Sequence, residues 1–204
     1  MNQQHSGFRR RYSITMSKLE VICGPMFAGK TEELIRRVKR CTISGQDIQV
    51  FKPSMDYRYG VERIVSHGKT DLESATGVKP VPINTKERFV VGDNTKVVAF
   101  DEVQFFDPSW IVPVVDGLLA DGIRVICAGL DMNTYGEPFG AVPVLLAKAD
   151  EVTKLKAICV CCKEDAGRTY RELPYAKTGE AVEVGGHGLY EPRCGACWKP
   201  TPKA

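Results

Sequence analysis

Three groups of residues in this chain have the types and spacing for chemistry. Gly24-Pro25-Met26-Phe27-Ala28-Gly29-Lys30-Thr31 fits the pattern G-x-x-x-x-G-K-[ST] in full. Such a loop needs glycines where backbone approaches phosphate and a run of amides to cradle the oxygens. It also needs a lysine to neutralise charge and a hydroxyl to ligate Mg²⁺. The second group is Asp101 and Glu102, two carboxylates placed directly after the apolar run Val97-Val98-Ala99-Phe100. Asp101 is the natural partner of Mg²⁺, through water, and Glu102 then points toward whatever accepts the γ-phosphate, as a general base. The plainer reading of the pair is two solvated charges at a strand end. The third group is Cys159-x-x-Cys162 and Cys194-x-x-Cys197. Two such knuckles supply four thiolates for a closed, tetrahedral and therefore structural zinc site. A redox pair is the rival, but two matched pairs favour metal. Cys161 offers a poorer C-x-C spacing with Cys159 and is left out of the ligand set.

Each group must be held by regular elements. LEVIC (19–23) reads as a buried strand leading into the glycine loop, and TEELIRRVKRC (31–41) as an amphipathic helix leaving it, ended by Gly45. DIQVFKP, VERIVSH, TKVVAFDE and IRVICAGLD are strand candidates. DPSWIVPVVDGLLADG predicts a helix capped by Asp107 with Pro108 at its first position, and Pro113 inside it predicts a kink or a late start. GAVPVLLAKAD is a short helix. Strands alternating with helices imply an α/β domain, a parallel sheet covered on both faces, over residues 18–151. Residues 1–17 are polar and basic and read as an extension; residues 152–204 read as a small zinc-ribbon-like module. Zinc would tether both ends of the stretch between Cys162 and Cys194, leaving a loop able to close over a ligand.

Composition sets the outer bounds. The chain has 204 residues and 22.6 kDa, enough for a sizeable core, with 43% hydrophobic and 26% charged residues and a mean hydropathy of −0.18. These values exclude collagen-like, low-complexity and wholly disordered classes. No run approaches the roughly 20 apolar residues of a membrane span, so no membrane partner is expected. The net charge of +3 is too small a footprint for nucleic acid. Eight cysteines, five of them crowded near the C-terminus, with no apolar signal core at the N-terminus, read as a cytoplasmic metal-binding chain.

With these residues in place, the sequence resembles the zinc-containing (type II) thymidine kinase family. The resemblance is carried by GPMFAGKT (24–31), KPSMDYRYG (52–60), SHG (66–68), DEVQFF (101–106), GLDMNTYGEPFG (129–140), KLKAIC (154–159) and GLYEPRCGAC (188–197). It implies a P-loop NTPase-like fold and transfer of phosphate from ATP to the 5′-hydroxyl of thymidine, with deoxyuridine as a second acceptor. It implies that residues 24–31 together with Asp101 and Gln104 hold Mg·ATP. Glu102 would act as base, and Arg58 of the Asp56-x-Arg58 pair would stabilise the transferring group. Read alone, Asp56 and Arg58 are a surface pair in a polar loop. Met26, Phe105, Leu130, Thr134, Phe139, Thr169, Gly185 and Tyr190 would surround the nucleoside, with Ala181 to Gly185 in a lasso over the base. Outside the resemblance, such apolar positions are plain core. Thr134 stands where the family usually has phenylalanine, and Asn133 where bacterial members often have aspartate. The family further implies a homotetramer and feedback inhibition by dTTP.

A different class of function remains open on the residues alone. A P-loop ATPase whose zinc module docks nucleic acid or protein would carry the same motifs, although the module lacks a basic stripe interleaved with aromatics.

Overall fold

A computed structural model describes residues 17–54, 63–66, 68–84, 89–171 and 189–200. Six strands form one parallel sheet: β1 (Leu19–Cys23), β2 (Ile48–Pro53), β3 (Val81–Ile83), β4 (Val97–Phe100), β5 (Arg124–Gly129) and β6 (Glu151–Lys154). Their order across the sheet is β3-β2-β4-β5-β1-β6, and every pairing is parallel. Alternate residues of the central strands feed two separate cores. Val21 and Cys23 of β1, Val98 and Phe100 of β4, and Val125 and Cys127 of β5 pack on one face. That face is covered by α3 (Pro108–Ala120) and α4 (Val142–Lys148). Ile22, Val97, Ala99, Ile126 and Ala128 pack on the other, beneath α1 (Lys30–Ile43) and α2 (Leu72–Thr76). A period of two read from both sides is why these strands appear as unbroken apolar runs. Among the described residues, no helix is long and apolar enough to cross a membrane.

Most of the expected elements are present, and α2 and β3 add to them. The described part of VERIVSH, residues 63–66, lies outside the sheet strands. Among its described residues, Val65 makes only an isolated bridge to Asp71, in a turn where the Leu72 amide returns to the Ile64 carbonyl. Helix α3 does not start late: Asp107 caps it through Ser109, and it runs through Pro113 to Ala120. Pro113 lies on the exposed side, so water can take the Ser109 carbonyl that a proline cannot satisfy. Beyond the change in character at Glu151, β6 still joins the parallel sheet beside β1.

At the opposite end of the sheet from the glycine loop lies a buried ion network. Glu20, 1% exposed, accepts from Arg37 Nη1 and, at 2.7 Å, from Arg124 Nε. Burial drives the Glu20 carboxyl pKa up, but the Arg124 and Arg37 contacts outweigh it and leave it below the ordinary 4.5. The stabilisation is therefore present above about pH 4.5 and is lost as acid drives the pH through the lower folded value. Glu20→Gln removes the carboxylate from the buried Arg37, which keeps Glu33 and Thr153, and from the partly exposed Arg124, and is expected to cost about 2 kcal/mol at pH 7. Urea unfolding at a series of pH values checks this, and the difference from the parent should shrink below pH 4.5.

Candidate functional site

The glycine loop, the acidic pair and the segment after β5 all emerge at the C-terminal ends of parallel strands. Register fixes this: Cys23 lies opposite Gly129, and Phe100 opposite Cys127. This edge, where α1 carries the chain away to the far side of β4, is where α/β sheets bind ligands.

The loop turns sharply. Gly24 has φ +139°, and a Cβ there would come within 2.4 Å of the Leu155 carbonyl oxygen, which arrives because the Leu155 amide donates to Cys23 O. Phe27 and Gly29 adopt left-handed backbone, at φ 66° and 82°, and α1 begins at Lys30 with no side chain capping it. The start of α1 is thus left without a side-chain cap, as a helix N-terminus that takes an anion requires. Lys30 Nζ donates to the Pro25 carbonyl at 2.7 Å. The Met26 amide donates to Thr169 Oγ1 at 3.0 Å.

The acidic pair sits on a firm base. Phe100 packs against Phe51 and, edge-on, against Phe106, so both sides of the β4 terminus are wedged by aromatic rings. Asp101 is buried and its Oδ1 accepts the Glu102 amide at 3.0 Å. Glu102 has φ 50°, left-handed and unfavourable for a side chain of its size, and it caps a short 3₁₀ turn over Val103–Phe105. Gln104 Nε2 donates to Glu102 Oε2, and Gln104 Oε1 accepts the Leu130 amide at 2.9 Å.

Two of the apolar candidates pack on each other. Phe105 and Phe139 meet edge-to-face at 5.8 Å between centroids. Met26 and Tyr190 are mostly buried, and Thr134 is buried. Thr169 is buried, and its hydroxyl oxygen accepts the loop amide of Met26. Asn133 works as a turn residue: Oδ1 accepts from the Tyr135 and Glu137 amides, both at 3.0 Å. Leu130, half-buried, is held by Gln104 through its amide. Asp56, Arg58, Gly185, the lasso stretch 181–185 and His67 lie outside the described residues.

The four predicted cysteines come together. The sulfur atoms of Cys159, Cys162, Cys194 and Cys197 all lie within 4.8 Å of one another, and Cys162 and Cys194 are 3.5 Å apart. A tetrahedron of roughly 2.3 Å Zn–S bonds has edges of roughly 3.8 Å, so the cluster fits a structural zinc ion after small movements. Cys161 is exposed and not part of the cluster. The remaining cysteines are ordinary core thiols, with burial pushing Cys127 up to about 12 and Cys23 up to about 11. The knuckles are carried by two small ribbons, β7 (Ala157–Ile158) with β8 (Asp165–Ala166) and β9 (Arg168–Arg171) with β10 (Tyr190–Arg193). Tyr190 pairs with Arg171, so the chain leaves for residues 172–188 and returns at one point beside Thr169.

Two residues escaped the sequence reading. Trp198 Nε1 donates to the Thr169 carbonyl at 3.0 Å, Arg168 stacks on its ring at 4.7 Å, and Gly136 is glycine because a Cβ would lie 2.7 Å from that ring. Lys52 is fully buried and donates to the Arg63 carbonyl at 2.8 Å, anchoring the chain where it returns from residues 55–62. A buried lysine that holds a distant carbonyl has no signature in a single sequence. The tryptophan directly after the last cysteine was visible, but its partner was not.

A family model described as thymidine kinase matches residues 17–198.

Metal analysis should find about one zinc per chain. Cys162→Ser should lose it and melt the ribbons, read as loss of amide protection over 157–171, while Cys161→Ser should retain it. Zinc loss in the second variant only would reassign the ligand set.

Proposed function

The chain belongs to the thymidine kinase family, and on that premise we propose the mechanism by which it moves phosphate from ATP to thymidine. The observation that carries the reading is the meeting of the glycine loop and the Asp101–Glu102 pair at one sheet edge, one strand apart on either side of β5.

The loop amides from Ala28 to Thr31 and the Lys30 ammonium hold the β- and γ-phosphates. Thr31 and, through water, Asp101 form an all-oxygen set suited to Mg²⁺, which would neutralise charge on those phosphates. The thymidine 5′-oxygen attacks the γ-phosphorus in line, the bond to the bridging β–γ oxygen breaks, and ADP leaves. Glu102 takes the hydroxyl proton. Arg58, within the Asp56-x-Arg58 pair, stabilises charge on the transferring group. Met26, Phe105, Leu130, Thr134, Phe139, Thr169 and Tyr190 enclose the thymine ring, and Gly185 belongs to the stretch that closes over it. Closure keeps water from competing for the phosphoryl group.

Deoxyuridine is a second acceptor, because an apolar pocket discriminates weakly against a missing methyl. Thr134, smaller and more polar than the family's usual phenylalanine, relaxes the preference further. A tetramer, inhibition by dTTP and a cytoplasmic location follow from the family alone.

Phosphoryl transfer from Mg·ATP should be measured with thymidine, deoxyuridine, deoxycytidine and deoxyguanosine as acceptors. Thymidine and deoxyuridine should be phosphorylated. Glu102→Gln should lower kcat by about 10²-fold or more with ATP binding intact. ATP hydrolysis without any nucleoside acceptor would overturn the reading.

A further inference from the structure

Gln104 is 3% exposed, and both ends of its amide are committed. The Leu130 N–H can only donate, so the oxygen end must face it, and the NH₂ end is thereby turned to the Glu102 carboxylate. The amide has little room to leave this arrangement. A Cβ at Gly129 would lie 2.5 Å from Gln104 Oε1, and one at Gly140 would lie 2.3 Å from the Gln104 carbonyl oxygen. Two glycines thus let the loop after β5 close on the glutamine from both sides. The residue it grips stands on left-handed backbone, with the like charge of Asp101 beside it. A carboxylate so placed needs a fixed donor to hold one orientation.

We propose that Gln104 is a positioning residue for the phosphoryl transfer, holding the Glu102 carboxylate in a single orientation and locking it to the Leu130 wall of the acceptor pocket, instead of touching the nucleotide. The proposal rests on Glu102 being the base. An N–H donor also favours the charged carboxylate, the form able to take a proton.

Two substitutions separate this role from nucleotide binding. Gln104→Met keeps length and burial but loses both hydrogen bonds. Gln104→Glu keeps an acceptor for Leu130 but sets carboxylate against carboxylate, so the pair must share a proton. Both should lower kcat by about tenfold or more, with KM for ATP changed by no more than about threefold. A rise of about tenfold in KM for ATP at unchanged kcat would place Gln104 on the nucleotide and overturn the proposal. A thermal-stability cycle reads the contact without reference to catalysis. Gln104→Glu should lower Tm at neutral pH, and the exchange Glu102→Gln with Gln104→Glu should restore it by reversing donor and acceptor. Additive losses would show that the side chains do not hold each other. Should Glu102→Gln alone retain turnover, the base assignment fails, and with it the catalytic part of the proposal, while the Tm cycle still decides whether Gln104 grips Glu102.

Discussion

The pairing of β5 with both β1 and β4 sets the scale of the site. Because β5 lies between them, the glycine loop and the acidic pair are two strand spacings apart, roughly 10 Å at about 4.8 Å each. Parallel pairing brings all three strand ends to the same edge, so the loop, Gly129 and the carboxylates stand side by side along it.

Above that frame, contacts link the segments at this edge. The Met26 amide reaches Thr169 in β9, and the Thr169 carbonyl receives the Trp198 indole. Trp198 lies on Gly136 in the loop after β5, and Gly140 of the same loop lies on Gln104, which holds Glu102. The cysteine cluster anchors Trp198 directly, since the Trp198 amide donates to the Cys194 carbonyl. A zinc ion held by the four cysteines would therefore also fix the tryptophan that joins the loop after β5 to the glycine loop. Apart from the Gln104 contact to the Glu102 carboxylate, each link is a neutral hydrogen bond or a close backbone approach, individually worth about 1 kcal/mol. Their value lies in leaving these segments few independent ways to move.

Much of this was legible in the chain itself, and the limits have physical causes. The glycine loop, the carboxylate pair and the paired cysteines announce themselves because phosphate and zinc each demand fixed residue types at fixed local spacing. Strands β1, β4 and β5 were visible as apolar runs because both faces are covered. Strands β3 and β6 lie at the sheet edges, are three and four residues long, and expose Val81 and Val152, so they carry almost no pattern. VERIVSH has strand composition, yet its described part folds back on itself at Asp71. Propensity there lost to a local turn with Asp71 capping the next helix through Ser74. The grip of Gln104 on Glu102 depends on Leu130 and Gly140, which are distant in sequence. The hydroxyl of Thr169 likewise had a role no local pattern could reveal.

The two strained non-glycine residues at this edge, Phe27 and Glu102, mark where positions were set against local preference. Each left-handed residue costs of order 1–3 kcal/mol and persists only where its surroundings over-determine it. At Phe27 the surroundings are the phosphate loop's own turn, fixed at one end by Leu155 against Gly24 and at Met26 by Thr169. At Glu102 they are the wedged ring of Phe100, the Asp101 carboxylate and the Gln104 amide. A relaxed backbone at residue 102 would turn the side chain away from the direction in which Gln104 now holds it. The strain is compensated by packing that extends from the sheet's aromatic wedge to the zinc knuckles. A catalytic edge built in this way depends on its distant supports as much as on the residues that touch the substrate.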